Sequence, residues 1–310
     1  MERDSSVFIM GEDIGARGGV FLATEGLLDC FGQDRVIDTP LAESSIIGIA
    51  LGAAINGMRP IAEIQFADFI WPTFSQLVGE ASRVRYGTQG SINVPMVVRS
   101  PYGGGVRGGL YHSQSVEAFF SHVPGLKVVT PATPYDAKGL LKSAIRDDDP
   151  VVFLEHKRTY RLVRGEVPET EYRLPIGKAE VKLAGNDVSV ITYGLMLHHC
   201  LEAANELEQE GIQVEVLDLR TLRPLDEEAI IDSVKKTGKA IVVHEDNKVG
   251  GIGGEVAAIL LEQAFDYLDA PVIRLGGPEV PAMPFSPPLE AMYLPDSGRI
   301  ADAIYKLAKY

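Results

Sequence analysis

Residues 38–58 read DTPLAESSIIGIALGAAINGM, an acid at position 43 followed by a run of small and apolar residues. Thr39 can cap a helix and Pro40 suits its first turn, so the pattern predicts a helix over 44–57. Gly48, Ala50, Gly52, Ala53, Ala54 and Gly57 strip side-chain bulk from it. Each interior glycine costs roughly 0.5–1 kcal/mol relative to alanine. Such a helix implies that other backbones approach it closely, in the core or on a partner subunit. Glu43 falls in its first turn, where the helix dipole alone favours a carboxylate, so placement by itself assigns no role.

Outward from this helix, short β-branched runs alternate with helical patterns. VFIMG (7–11), PIAEI (60–64), PMVVRS (95–100), KVVTP (127–131) and VVFLE (151–155) read as strands, with helices expected near 20–31, 44–57, 71–86, 115–121 and 135–146. Strands separated by helices indicate crossover units and a mainly parallel sheet with helices on both faces. Residues 156–184 lose this rhythm and carry Pro168 and Pro175, the mark of a linker. Alternation resumes at DVSVITYG (187–194), QVEVLDLR (213–220), KAIVVHED (239–246) and APVIRLG (270–276), a smaller three-layer α/β unit, and a tail rich in Pro and Met (278–288) precedes a last helix near 297–308.

The chain of 310 residues has 45% hydrophobic and 23% charged residues and a net charge of −14. That balance argues against nucleic acid or an anionic membrane as partner and fits an enzyme that docks a basic protein module. The longest apolar stretch is too short to span a bilayer, and no leader peptide is visible ahead of the first strand. A soluble cytoplasmic protein, bacterial or archaeal rather than of the mitochondrial matrix, is expected. Cys30 and Cys200 lie far apart without CxxC spacing, so both are expected to be small buried hydrophobes.

Gly103, Gly105 and Gly108 formally make GxGxxG after a strand. A dinucleotide site also needs a helix at the third glycine and an acid about 20 residues on, and both are lacking. VGGIGGE (249–255) reads as a turn before a helix. Asp147 and Asp149 form a tight acidic turn in SAIRDDDP.

GEDIGARGGVF (11–21), DRVIDTPLAES (34–44), RPIAEIQFADFI (59–70), GGLYHSQSVEAFF (108–120), PGLKVVTPATPYDAKGLLKSAIRDDDPVVFLE (124–155) and LDLRTLRPLDEEAI (217–230) occur in order. Together they resemble the beta subunit of the thiamine diphosphate-dependent, decarboxylating component of 2-oxo acid dehydrogenases. AEIQFADF and LYHSQSVEAFF look most like branched-chain members. The resemblance implies a transketolase-like pyrimidine-binding domain over 1–165, a linker over 166–184 and a transketolase C-terminal-like domain over 185–310. It implies that Glu43 hydrogen-bonds N1′ of the cofactor's aminopyrimidine and moves a proton there, and that Phe69, with Gln65 nearby, lines the pyrimidine pocket. His112 would face the reacting end and assist reductive acylation of a lipoyl group, a task suited to a side chain titrating near neutral pH. Asp147 and Asp149, with main-chain oxygens near Ala144 and Ile145, would hold a structural potassium ion, although Asp149 stands where relatives often carry Asn.

The family's GDG motif for Mg²⁺ and diphosphate is missing, as expected if those groups belong to an alpha subunit. Implied partners are that alpha subunit in an α2β2 heterotetramer, a lipoylated dihydrolipoyl acyltransferase core and a small branched 2-oxo acid substrate. A pyruvate or acetoin enzyme is the alternative within the fold, and a non-catalytic flavin- or nucleotide-binding subunit the alternative outside it. Relatives begin with a helix ahead of the first strand, whereas Met1 here lies almost at that strand.

Overall fold

The computed structural model describes residues 1–310. Twelve strands run in chain order as β1 (Val7–Gly11), β2 (Val36–Asp38), β3 (Arg59–Glu63), β4 (Val97–Tyr102), β5 (Lys127–Val129), β6 (Val151–His156), β7 (Glu180–Leu183), β8 (Val188–Thr192), β9 (Val214–Asp218), β10 (Thr221–Arg223), β11 (Ala240–Asn247) and β12 (Ile273–Gly277). They form a seven-stranded sheet, β10-β5-β6-β4-β3-β1-β2, and a five-stranded sheet, β12-β11-β8-β9-β7. Every pair is parallel except β10 with β5 and β7 with β9. Val7–Gly11 and Val97–Tyr102 are buried along their whole length, as parallel strands covered on both faces must be.

The order of the first sheet reverses at β1 and β3: the chain leaves β1 toward β2 on one side and leaves β3 toward β4 on the other. In open parallel sheets the crevice beyond the carboxyl ends of two such strands is where ligands bind. Here those carboxyl ends lead to Glu12, just after β1, and to Gln65, just after β3.

The helix predicted after Glu43 spans Glu43–Ile55 and buries Ile46, Ile47, Ala50, Leu51 and Ala54. Thr39 does not cap it. Ala42 takes the N-cap position without a side-chain bond, and the Thr39 hydroxyl is buried without a partner. On its outer side Ile49 is 59% exposed, and a methyl group added at Gly52 would meet nothing within 4 Å. The small residues therefore serve an open face as well as the core.

Other expectations shift in detail. The helix near 20–31 is regular only over Leu27–Phe31, and β2 forms from VID, too short to have shown a strand pattern. The helix near 71–86 is a 3₁₀ turn at Trp71–Thr73, a π-helical segment at Ser75–Ala81 and an α-helical end at Ser82–Gly87. The linker over 166–184 includes β7, which pairs antiparallel with β9 of the second sheet. β10 lies within the second half of the sequence yet completes the first sheet. The two sheets share one continuous core, in which Ile64 and Val98 belong to the same cluster as Val242 and Val256. Cys200 is buried, its thiol pushed up to about 12 by desolvation, whereas Cys30 is exposed and does not serve as a core residue.

Candidate active site

Glu43, Gln65, Phe69 and His112 lie beyond the carboxyl ends of the first sheet's strands, whereas Asp147 and Asp149 lie in the turn that precedes β6. β1 leads to Glu12, β2 to Glu43, β3 to Gln65, Phe66 and Phe69, β4 to the glycine-rich loop and His112, and β6 to Lys157. Five strands thus deliver their side chains to one edge. Ser44 ties the start of the Glu43 helix to the segment after Phe69, its hydroxyl donating to the Pro72 carbonyl at 2.7 Å.

Glu43 is half-buried at the first position of its helix, whose opening N–H groups receive no side-chain cap. Burial, then Asp13, then Glu43 raise the Glu12 carboxyl above the ordinary glutamate value. Gln65 is less free than expected, since its amide reaches the Glu12 carbonyl at 3.4 Å and Asp13 Oδ2 at 3.3 Å. It braces the loop after β1.

Phe69 and His112, 43 positions apart in the sequence, meet. The imidazole stands edge-on to Phe69 at 5.3 Å between centroids and to Phe66 at 4.6 Å, and Phe66 in turn meets Phe69 at 5.8 Å. Edge-to-face pairs of this kind contribute roughly 0.5–1.5 kcal/mol beyond burial. Phe66 was not selected from the sequence, yet it is the ring that both partners touch.

Asp68, also missed, fixes the arrangement. Its side chain is buried, and Oδ1 accepts from the N–H groups of Ser113 and Gln114 at 3.2 Å each, so the two residues after His112 hang on one carboxylate. Burial raises the Asp68 carboxyl, opposed by Lys157 and these N–H groups. The only visible signal for Asp68 was a charge inside the apolar run IQFADFI. Lys157 is 3% exposed, with Nζ 5.7 Å from the Phe66 centroid and without a hydrogen-bond partner. Desolvation lowers its ammonium to about 8, against the pull of Asp68 and Glu245.

Behind this edge lies a buried polar seam to the second half. The His156 Nδ1 accepts from the Arg158 N–H at 3.2 Å, which leaves Nε2 to donate to Glu245 at 2.8 Å. Tyr193 donates to Glu117 at 2.9 Å. The Glu117 carboxyl is pushed well up by burial, then by Asp246, whose own carboxyl rises to about 6.

The acidic turn has protein partners. Lys127 Nζ lies 2.6 Å from Asp147 Oδ1 and 3.3 Å from Asp149 Oδ2, and Arg85 pairs with Asp149 at 2.7 Å. Arg59 donates to the carbonyls of Ile145 and Asp147, and the Ala144 carbonyl accepts from the Asp147 N–H. The oxygens of Ala144, Ile145, Asp147 and Asp149 expected to hold potassium are met by this chain's own cations and N–H groups. The glycine-rich stretch leads into a 3₁₀ turn, Gly109–Tyr111, which does not present the long helix start that a dinucleotide pyrophosphate needs. Two glycines of VGGIGGE have a packing reason: a Cβ at Gly251 or Gly253 would press on the His244 ring.

An aminopyrimidine needs a carboxyl partner for a ring nitrogen and flat apolar surface beside it. Glu43 at an uncapped helix start and the half-buried Phe66–Phe69 pair supply both, so the residues present fit that end of thiamine diphosphate.

Two family models match the chain: the transketolase pyrimidine binding domain over residues 1–163 and the transketolase C-terminal domain over 177–300. The chain is 58% identical to the 2-oxoisovalerate dehydrogenase subunit beta of Bacillus subtilis, over 100% of this chain and 95% of that one. It is 50% identical to the pyruvate dehydrogenase E1 component subunit beta of the same organism, with the same coverage. The corresponding subunit of Staphylococcus aureus is 48% identical over 97% and 92% of the two chains. Among solved structures, a split gene transketolase described as an inactive beta4 tetramer superposes with a TM-score of 0.78 over 99% of this chain and 93% of that one; at 24% identity this is a likeness of fold.

Proposed function

The chain belongs to the family of 2-oxo acid dehydrogenase beta subunits built from transketolase pyrimidine-binding and C-terminal domains, and from this we propose that it is the beta subunit of a branched-chain 2-oxo acid dehydrogenase, active with an alpha subunit. The contact of His112 with Phe66 and Phe69 carries the reading. It joins two distant motifs at the sheet edge from which the Glu43 helix starts.

Bound thiamine diphosphate would supply a carbon nucleophile toward a 2-oxo acid and an electron sink for its decarboxylation. The chain's own part is to bind, orient and move protons. Glu43 holds a proton at a ring nitrogen of the pyrimidine, with Glu12 beside it as a second carboxyl. Phe66 and Phe69 exclude water from one side of the site. His112, fixed by Asp68 through the following backbone, is placed to donate a proton to the sulfur released when the lipoyl disulfide opens and its other sulfur takes up the acyl group.

The alpha subunit would cover the open face of the Glu43–Ile55 helix and hold the diphosphate and Mg²⁺. Exposed Leu41, Ile49 and Trp71, with open space at Gly52 and Gly79, suit a closely packed partner. The net charge of −14 suits a basic binding module on the acyltransferase core. No helix is long and apolar enough to cross a membrane.

The test is reconstitution of alpha and beta chains with thiamine diphosphate and Mg²⁺, following decarboxylation of 3-methyl-2-oxobutanoate with a dye as electron acceptor. Glu43→Gln should lower the rate by about a hundredfold or more while assembly with the alpha chain is kept. Full activity of that variant, or of the beta chain alone, defeats the shared-site reading. A rate series in which pyruvate outruns the branched 2-oxo acids overturns the substrate assignment.

A further inference from the structure

The loop that carries His112 is closed on itself: the Gly103 N–H donates to the Gln114 carbonyl at 3.0 Å. Asp68 holds the end of this loop. Its beginning is strained, for the backbone enters the left-handed region at Gly103 (φ 87°), Gly105 (φ 76°), Arg107 (φ 59°) and Gly109 (φ 61°). Glycine adopts such angles freely, but for Arg107, with its Cβ, they are unfavourable. A residue of that kind persists only where its surroundings hold it.

What holds it comes from the far end of the chain. Glu290, on the short helix Pro287–Tyr293, is 5% exposed, and its Oε1 accepts from the Gly105 N–H at 3.0 Å and the Arg107 N–H at 3.1 Å. Glu245 accepts from the Gly104 N–H at 2.5 Å. The Pro- and Met-rich tail lies over the same loop: Met283 is so close that a Cβ at Gly104 would sit 2.6 Å from its Cε, and Phe285 packs on Gly109. Neither this tail nor Glu290 takes part in the cofactor pocket described above.

We propose that Glu290 is a positioning residue for His112, one carboxylate oxygen from the C-terminal tail fixing two backbone N–H groups of the strained loop that presents the imidazole. The C-terminal domain thereby helps to set the geometry of acyl transfer in the first domain. The inference rests on the assignment of His112 to lipoyl acylation.

Two rates on the reconstituted alpha–beta enzyme test it: dye-linked decarboxylation, which needs no lipoyl group, and acyl transfer to a lipoylated domain. Glu290→Ala removes the acceptor and should lower acyl transfer about tenfold to a hundredfold, the scale of a reacting group displaced by about 1 Å. The ratio of acyl transfer to decarboxylation should fall by at least about fivefold. Glu290→Gln keeps an acceptor oxygen and should recover most of that ratio. A ratio unchanged in Glu290→Ala, or equally low in Glu290→Gln, overturns the proposal, as do two rates that fall in parallel with the melting temperature. His112→Ala in the same assays separates the failures. If it spares acyl transfer, the reading of His112 is lost; if it abolishes transfer while Glu290→Ala does not, only the role of Glu290 is lost.

Discussion

Replacing Lys157 by methionine should stabilise the chain at neutral pH. The ammonium is buried behind Phe66 without a hydrogen-bond partner, and desolvation holds it at about 8 where an ordinary lysine titrates at 10.5. The unfolded chain therefore binds more protons than the folded one between these values, and native stability rises with pH across that window. Below pH 8 the cost is close to its full value. At about 1.36 kcal/mol per unit it is about 3 kcal/mol at pH 7 and shrinks to about 1.4 kcal/mol at pH 9.5. Methionine keeps most of the apolar stem and carries no charge, as in other buried charged groups replaced by apolar ones of similar size. Urea midpoints and slopes for the two proteins at pH 7 and pH 9.5 give the comparison directly. The variant should lead by about 3 kcal/mol at the lower pH and by roughly half that at the higher. A variant less stable at pH 7, or one whose lead is the same at both values, would refute the reasoning, because each means that Lys157 is not a desolvated charge.

The acid side has a matching expectation. Burial lowers His244 to about 4, so it stays neutral in the fold while an ordinary histidine charges near 6.5. The unfolded chain binds the extra proton between these values, and the wild type should lose about 2 kcal/mol more than His244→Gln between pH 7 and pH 4.5, read from urea midpoints; equal losses count against it. Gly103→Ala combines a φ of 87° with a Cβ driven into His156 Nε2, the atom that donates to Glu245. It should cost about 3 kcal/mol or more in thermal unfolding, and a cost under about 1 kcal/mol would show that the loop relaxes freely.

Much of this architecture was legible in the residues because parallel strands buried on both faces read as unbroken apolar runs. VFIMG and VVFLE needed no other information. VID, three residues long, carried no pattern, and β10 lay hidden in LDLRTLRPL, where β9 and β10 follow each other with two residues between. Thr39 was a reasonable cap on local grounds; the chain instead enters the helix at Ala42, which leaves the N–H groups beside Glu43 uncapped. Phe69, His112 and Glu43 stood out through the motifs around them. Phe66, Asp68, Lys157 and Glu290 did not, because each acts through a contact made only by the tertiary fold: Asp68 and Glu290 bond backbone more than 40 and 180 positions away. The protein partners of the acidic turn were hidden for the same reason, since Arg59, Arg85 and Lys127, which pair with it, come from three distant elements.

Strand β10 has a consequence for how such a gene can be divided. Cutting between residues 163 and 177, where the two family models part, would strand three residues of the first sheet on the wrong product. The upstream fragment would then end its sheet at Lys127–Val129 with bare backbone groups, an invitation to intermolecular pairing. The halves of this polypeptide are separate as families of sequence but not as folding units, and shuffling one without the other exposes a seam that the intact chain stitches shut.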